Sequence, residues 1–268
     1  MKATKFLIEL NESTLLPSIE GLTVIELCNY QNWYNNDTVY EIYYGFVARD
    51  RIYKSVADAA KDYRIPSEYI NYREFIPVGS IEFITYIKSI LTKKPLKVIN
   101  IPEELRKDSF LSREVFTLSK QEANELKRTK PKEYLESIIV KPGSIIKDFG
   151  ADTLKGLDLN KITDDVIFAS SKLDIITEWR VFIFNKKIIG IRRYLGDAAV
   201  PSLEFIDKCI YTYTKSPKAY TLDICRTEDG KFAVIEVHNF VACGHYGLEE
   251  PKLLNMYIAG WKYEIDEE

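Results

Sequence analysis

Asp223 and Glu236 are the residues whose types and spacing first suggest chemistry. They flank Asp229-Gly230, in segments 220–225 and 231–236 whose apolar patterning is that of strands. Asp-Gly between two such runs predicts a hairpin closed by a two-residue type I′ turn. With Asp229 and Gly230 as that turn, Glu228 pairs with Lys231, and Asp223 faces Glu236. Opposed carboxylates whose Cβ atoms lie ~5 Å apart repel unless a cation sits between them or one is protonated. Mg²⁺ meets that need, because it takes one or two carboxylates and fills its other positions with water and phosphate oxygens. On this reading, replacing either acid by its amide leaves metal-free stability unchanged or slightly raised. The plain alternative is a solvated hairpin face that happens to carry two acids.

Cations accompany the acids. Lys141 ends the strand-like segment 137–141. Lys147 follows in the glycine-bracketed loop 143–150, and Arg180, Arg192 and Arg193 belong to a second hairpin. Alternation groups Glu178, Arg180, Phe182 and Phe184 on one face and Trp179, Val181 and Ile183 on the packed one, so Arg180 points at something polar. The turn near Asn185-Lys186-Lys187 has two or three residues, which leaves either Arg192 or Arg193 beside Arg180. Taken singly, each arginine fits an ordinary cross-strand ion pair, for example with Glu178. Taken together, cations, loop amides and an acid pair are what a nucleoside triphosphate and its bridging metal require. The two histidines, His238 and His245, bracket Cys243 in a zinc-like spacing with Cys225 as a conceivable further ligand, but no fourth ligand stands at a structural spacing.

The elements that must position these groups follow from pattern. The chain has 268 residues, enough for one large or two small domains, and 37 basic against 40 acidic side chains give a net charge of −3. With no cluster of four basic residues, nucleic acid is not the expected partner. The longest apolar runs are about five residues, far short of a membrane span. The first residues reach Glu9 before any signal-like apolar stretch, which points to the cytoplasm. Four scattered cysteines without a C-x-x-C pair fit reduced thiols. Strands are predicted at 5–10, 23–28 and 39–47, then a helix at 81–92 capped by Ser80. A second helix begins at Ser119 with Glu122 completing a capping box and ends before Pro131. Strands follow at 137–141, 166–170, 178–184, 187–194, 220–226 and 231–238, with helices after Ser202 and after Pro251. The grouping changes from an α/β unit to an α+β one with antiparallel sheet.

The order of features along the chain resembles the ATP-grasp superfamily. It runs from Val140-Lys141-Pro142 and Lys147-Asp148-Phe149-Gly150 to Glu178-Trp179-Arg180-Val181-Phe182 and Tyr220-Thr221-Leu222-Asp223, then to Glu236-Val237-His238-Asn239 with Gly244-His245-Tyr246-Gly247. Within the superfamily it is similar to a compact clade of bacterial and phage proteins. The resemblance covers residues 131–250, and the first part, with Pro77-Val78-Gly79-Ser80, resembles that clade's reduced pre-ATP-grasp domain. It implies an α+β ATP-grasp fold of two subdomains gripping ATP in residues 101–268, behind a small α/β domain in 1–100, with the boundary between 100 and 135. It further implies ATP and Mg²⁺ as cofactors, a carboxylate and an amine as substrates, and amide formation through an acyl phosphate. In those terms Lys141 and Lys147 hold phosphate. Glu178 lies on the nucleotide side, and a hinge strand, 166–171, offers the backbone of Ser170 or Ser171 to the purine. Arg180 with Arg192 or Arg193 stabilises the transferred phosphoryl group, and Asp223 and Glu236 hold the metal. The family places an Asn two residues after its last carboxylate, whereas here that position is His238 and Asn239 comes next. Alternation makes His238 the first choice as third ligand and Asn239 the alternative. A nucleotide-binding module without turnover and a kinase using the same site are the competing readings.

Overall fold

The computed structural model describes residues 3–11, 14–34, 39–47, 63–65, 74–146 and 148–266. The chain forms two compact units. The first comprises Met1–Leu96, Pro217–Tyr220 and Asn239–Glu268, the second Lys97–Ser216 and Thr221–His238. Residues 239–268, expected with the second domain, belong instead to the first.

In the first unit β1 (Thr4–Asn11) lies between β2 (Tyr40–Val47) and β4 (Phe75–Val78), parallel to both, with β3 (Tyr63–Arg64) antiparallel on the outer side of β2. Phe6, Leu7 and Ile8 are fully buried, as a parallel strand covered on both faces requires. The expected strand at 23–28 is instead part of helix α1 (Ile19–Tyr34). Gly21, Val24 and Cys28 are the buried positions there, a helical spacing that the dense run of apolar residues disguised as a strand. Helix α2 (Ile81–Thr92) has the expected bounds and cap, since Phe83 N–H donates to Ser80 Oγ at 3.2 Å. Ser80 N–H in turn donates to the buried Glu9 carboxylate at 2.5 Å. A Cβ at Gly79 would lie 2.4 Å from Glu9, which explains the glycine in that motif. Lys88, on the inner face of α2, is 2% exposed and ion-paired with the fully buried Glu264.

The second unit holds two antiparallel sheets. In one, β5 (Val115–Ser119), β8 (Val166–Ser171), β6 (Ile138–Pro142) and β7 (Asp152–Thr153) lie in that order. Helix α3 (Asp108–Leu111) precedes β5, and α4 (Lys120–Thr129) and α5 (Lys132–Glu136) connect β5 to β6. The Ser119 and Glu122 capping box of α4 is complete. Ile138, Val140, Ile167 and Ala169 turn to a core that includes Ala123, Leu135 and Leu154. Alternation and the pairings Lys141 with Phe168 and Ile139 with Ser170 put Lys141, Phe168 and Ser170 on the opposite face.

The other sheet has the order β10-β9-β11-β12, from β9 (Ile175–Phe184), β10 (Lys187–Gly196), β11 (Ala219–Thr227) and β12 (Phe232–Asn239). Asn185 and Lys186 form a two-residue turn, both with left-handed backbone (φ 50° and 61°). The Lys186 ammonium donates to the Tyr213 and Ile210 carbonyls at the end of α6 (Leu203–Thr212), an attractive place for a cation, and so holds the strained turn. Trp179, Val181 and Ile183 are buried as expected, Trp179 against Phe232 and Phe232 against Phe205 of α6. Helix α7 (Lys252–Asp266), which supplies Glu264, ends the fold. Among the described residues no helix is long and apolar enough to cross a membrane.

The buried pair in the first unit gives a direct test. Lys88→Met leaves Glu264 buried without its ammonium and is expected to cost about 3–5 kcal/mol in chemical denaturation. Adding Glu264→Gln, which keeps an acceptor for a neighbouring amide, should recover most of that loss. Equal losses in the single and double variants would assign the effect to packing.

Candidate active site

Arg180 and Asp223 sit on the adjacent strands β9 and β11, and the guanidinium forks onto the carboxylate. Nε donates to Oδ1 at 2.8 Å and Nη2 to Oδ2 at 2.7 Å, with the side chains 7% and 1% exposed. This two-bond geometry is the strongest form of carboxylate pairing. The polar object that alternation demanded for Arg180 is therefore Asp223. The expectation that an amide at Asp223 would leave stability unchanged reverses, because Arg180 would lose its carboxylate in a buried place.

Glu236 on β12 is compensated separately. Lys141 Nζ lies 2.5 Å from its Oε2 and His238 Nε2 lies 2.8 Å from its Oε1. Burial alone would raise the Glu236 carboxyl, but His238 and Lys141 outweigh it and hold the group well below the usual carboxylate range. One ligand atom each from Asp223, Glu236 and His238 lie within 4.8 Å of one another. The two acids are thus neighbours, as the sequence suggested, although the turn reasoning does not hold. Thr227 N–H donates to the Lys231 carbonyl at 3.0 Å and Gly230 N–H to the Thr227 carbonyl at 2.9 Å, which closes a three-residue loop. Gly230 is left-handed (φ 81°) and Asp229 is not, so the turn is not type I′. The Asp229 carboxylate accepts from Thr227 Oγ1 at 2.6 Å and stabilises the longer loop. Counted from that closure, an unbroken ladder would set Asp223 against Ile235 and not against Glu236, so the turn alone does not account for the proximity of the two acids.

The remaining candidates separate clearly. Asn239 points away from this group, as alternation predicts, and its Nδ2 donates to Glu264 Oε1 at 2.6 Å and to the Gly260 carbonyl at 3.3 Å. Arg192 is the residue paired with Arg180, whereas Arg193 pairs with Trp179 and is exposed. A register shift between Arg193 and Leu195 makes Tyr194 a bulge residue and re-aims its ring. The Arg180 guanidinium then lies 6.0 Å from the Tyr194 ring centroid. Burial first, then Asp223 and a hydrogen bond with Glu178, push the Tyr194 hydroxyl far above its ordinary range. Glu178 therefore meets Tyr194. Ser170 and Ser171 lie on β8, flanked by β5 and β6, and the Ser171 amide is taken by the Glu114 carbonyl at 3.0 Å. Lys147 lies outside the described residues. Among the described residues, Cys225, Cys243 and His245 belong to no cluster of metal-ligand side chains. His245 packs on Phe240 and bonds Tyr257 at 2.8 Å, and Cys225 is a buried thiol that burial pushes up to about 11.

Sequence reasoning missed how the glycine loop is held. Asp164 accepts from the amides of Ser144 and Ile145, both at 2.7 Å, from Val166 N–H at 2.9 Å and from Ser144 Oγ at 2.5 Å. Asp148 likewise accepts from the amides of Thr163 at 2.7 Å and Asp164 at 2.9 Å. Two aspartates after a glycine-serine loop are compatible with plain turns, so nothing in the linear pattern marked them. Burial works upward on Asp164, yet these donors hold its carboxyl below the unfolded value of 3.8. Its contribution to stability is therefore present above about pH 4 and is lost as the pH falls through the folded-state value. Asp164→Asn is expected to flatten the acid limb of stability measured by urea unfolding between about pH 5 and 2. An unchanged slope would show that the clamp does not carry it.

The donor set fits a divalent ion only in part. Two carboxylates are the hard oxygen ligands that Mg²⁺ accepts, and the third donor is an imidazole nitrogen. Comparison with known proteins agrees with the fold. No curated protein matches the chain. Among solved structures it is similar to a RimK domain ATP-grasp protein from Sphaerobacter thermophilus DSM 20745, with a TM-score of 0.53 and 11% identity over 97% of each chain. It is also similar to the D-cycloserine synthetase DcsG, with a TM-score of 0.50 and 9% identity over 97% of this chain and 99% of that one. The sequence of residues 110–256, more than half the chain, matches the family described as ATP-grasp domain, R2K clade family 2, and to that family this protein belongs.

Proposed function

We propose that this protein is an ATP-dependent ligase that joins a carboxylate to an amine with the help of a divalent metal ion, and that it works in the cytoplasm. The observation that carries the proposal is the convergence of Lys141, Arg180 and Arg192 with Asp223, Glu236 and His238 on strand backbones of one unit. Family membership supports the same reading. A bound divalent ion would supply charge neutralisation between the terminal phosphates of ATP. Asp223, Glu236 and His238 would hold it. Lys141, beside Glu236, would reach phosphate oxygens, and Lys147 is proposed to join it. Arg180 stays forked on Asp223 and fixes that carboxylate, while Arg192, its half-buried neighbour, is the arginine placed to meet charge developing on transferred phosphoryl and acyl oxygens. Glu178, tied to Tyr194, would border the nucleotide. Phosphoryl transfer to the substrate carboxylate would give an acyl phosphate, and attack by the amine would form the amide and release phosphate, with no side-chain nucleophile required.

The purine is proposed to lie beside β8, next to a cavity of about 520 Å³ lined by Arg106, Leu111, Arg113, Glu114, Val115 and Phe116. Arg106 already lies 5.5 Å from the Phe168 ring on the Lys141 face of the sheet. With the Ser171 amide committed to Glu114, carbonyl groups at the end of that strand are the better donors of specificity. Loss of turnover with retained binding is the second reading. It is favoured by the cation already paired with Glu236 and by a histidine where the family carries an asparagine.

ATP with a divalent ion should stabilise the protein by about 2.7 kcal/mol at 100 times its Kd, read as a shift in thermal unfolding. Release of ADP and phosphate with pools of amino acids, peptides and amines, together with a new amide detected by mass spectrometry, would establish the ligase. A stable phosphorylated product would point to a kinase, and binding without turnover to the module. Glu236→Gln should abolish turnover, and Lys141→Ala should weaken nucleotide binding by at least about tenfold, a loss near 1.4 kcal/mol. Failure of ATP to bind at all would overturn every one of these readings.

A further inference from the structure

The ligand set at the carboxylate pair is not that of an all-oxygen magnesium site. Asp223 has both oxygens engaged by Arg180, at 2.8 and 2.7 Å, and Glu236 is paired with Lys141 at 2.5 Å. Both acids therefore offer a metal ion their remaining lone pairs with much of their negative charge already compensated. This compensation weakens the hold of the two acids on any divalent ion, so the third donor decides which ion the site prefers. The third donor is of a different kind. His238 Nε2 is a buried atom 2.8 Å from Glu236 Oε1. It also lies 3.9 Å from Asp223 Oδ2, so the ring nitrogen is directed at the space shared by the two acids. Neutral imidazole suits borderline transition-metal ions, whereas carboxylate, carbonyl and water oxygens suit Mg²⁺ and Mn²⁺ alike. Of the ions that take carboxylate, water and imidazole together, Mn²⁺ keeps the coordination habits closest to those of Mg²⁺.

We infer that His238 is a nitrogen ligand that makes this site hold Mn²⁺ in preference to Mg²⁺. The inference rests on the proposed reading that a metal ion binds at this carboxylate pair. Strand alternation supports it independently, since it sets His238 on the Glu236 side and gives Asn239, the oxygen donor next in sequence, to Glu264.

Pulsed EPR tests the inference without any assay of activity. Protein labelled with ¹⁵N-histidine is loaded with Mn²⁺ alone and with Mn²⁺ plus ATP, and Mg²⁺ is titrated as competitor. The expected result is a ¹⁵N coupling to Mn²⁺ that disappears in His238→Asn, together with a fall of at least about tenfold in the preference for Mn²⁺ over Mg²⁺. The label excludes signals from purine nitrogens, and the variant separates His238 from His245, which is committed to Tyr257. Mn²⁺ bound with ATP but without ¹⁵N coupling overturns the inference and leaves the nucleotide reading standing. Coupling with Mn²⁺ alone and no ATP binding upholds the metal ligand and overturns the nucleotide reading. An unchanged metal preference in His238→Asn also overturns the inference.

Discussion

Two carboxylates within reach of one another in a poorly solvated place can persist only if each is neutralised, and the second unit is organised around that constraint. Arg180 answers Asp223 with a planar fork, and Lys141 answers Glu236 with a point charge. The difference matters chemically. A forked guanidinium at 7% exposure is fixed by two bonds, whereas an ammonium on a flexible four-carbon stem at 22% exposure makes a single point contact. One acid is thereby held by a planar fork and the other by point contacts. Removing either partner of the fork would leave an uncompensated buried charge, the costliest kind of polar defect.

The surrounding features serve the same electrostatic frame. The bulge at Tyr194 turns a ring towards the Arg180 guanidinium and gives Glu178 a hydroxyl partner, so the arginine is flanked on one side by its carboxylate and on another by an aromatic face. The glycine loop would be a poor element by itself, because its amides have no ladder partners. Asp164 collects two of them and Asp148 braces the segment that carries Asp164. That arrangement resembles an anion held by loop amides, with a carboxylate from the chain in the anion's place.

The first unit solves a similar problem with a buried pair of its own. Glu264 accepts from both Lys88 and Asn239, which ties α7 to α2 and to the end of β12. The consequence for function is indirect. An asparagine adjacent to the metal-type cluster is committed to holding the fold, and the residue that strand alternation leaves beside Glu236 is a histidine.

Local patterns determined much of this protein. The bounds of α2, the capping box of α4 and the Ser202 cap of α6 follow from spacing and caps, because these depend on atoms only a few residues apart. The candidate residues were legible for the same reason, since charged side chains inside strand patterns demand partners. Tertiary structure decided which partners. Arg180 reaches Asp223 across 43 positions and Lys141 reaches Glu236 across 95, separations over which sequence carries no geometric information. It also decided that 23–28 is helical, where the face buried against the sheet overrode the appearance of a strand, and that Arg192 and not Arg193 stands beside Arg180. The turn at Asp229-Gly230 was misread because its dipeptide permits two loop lengths, and a side-chain hydrogen bond from Thr227 to Asp229 favours the longer. Charge neutralisation is non-local, and for that reason the sequence named the ions while only the fold could pair them.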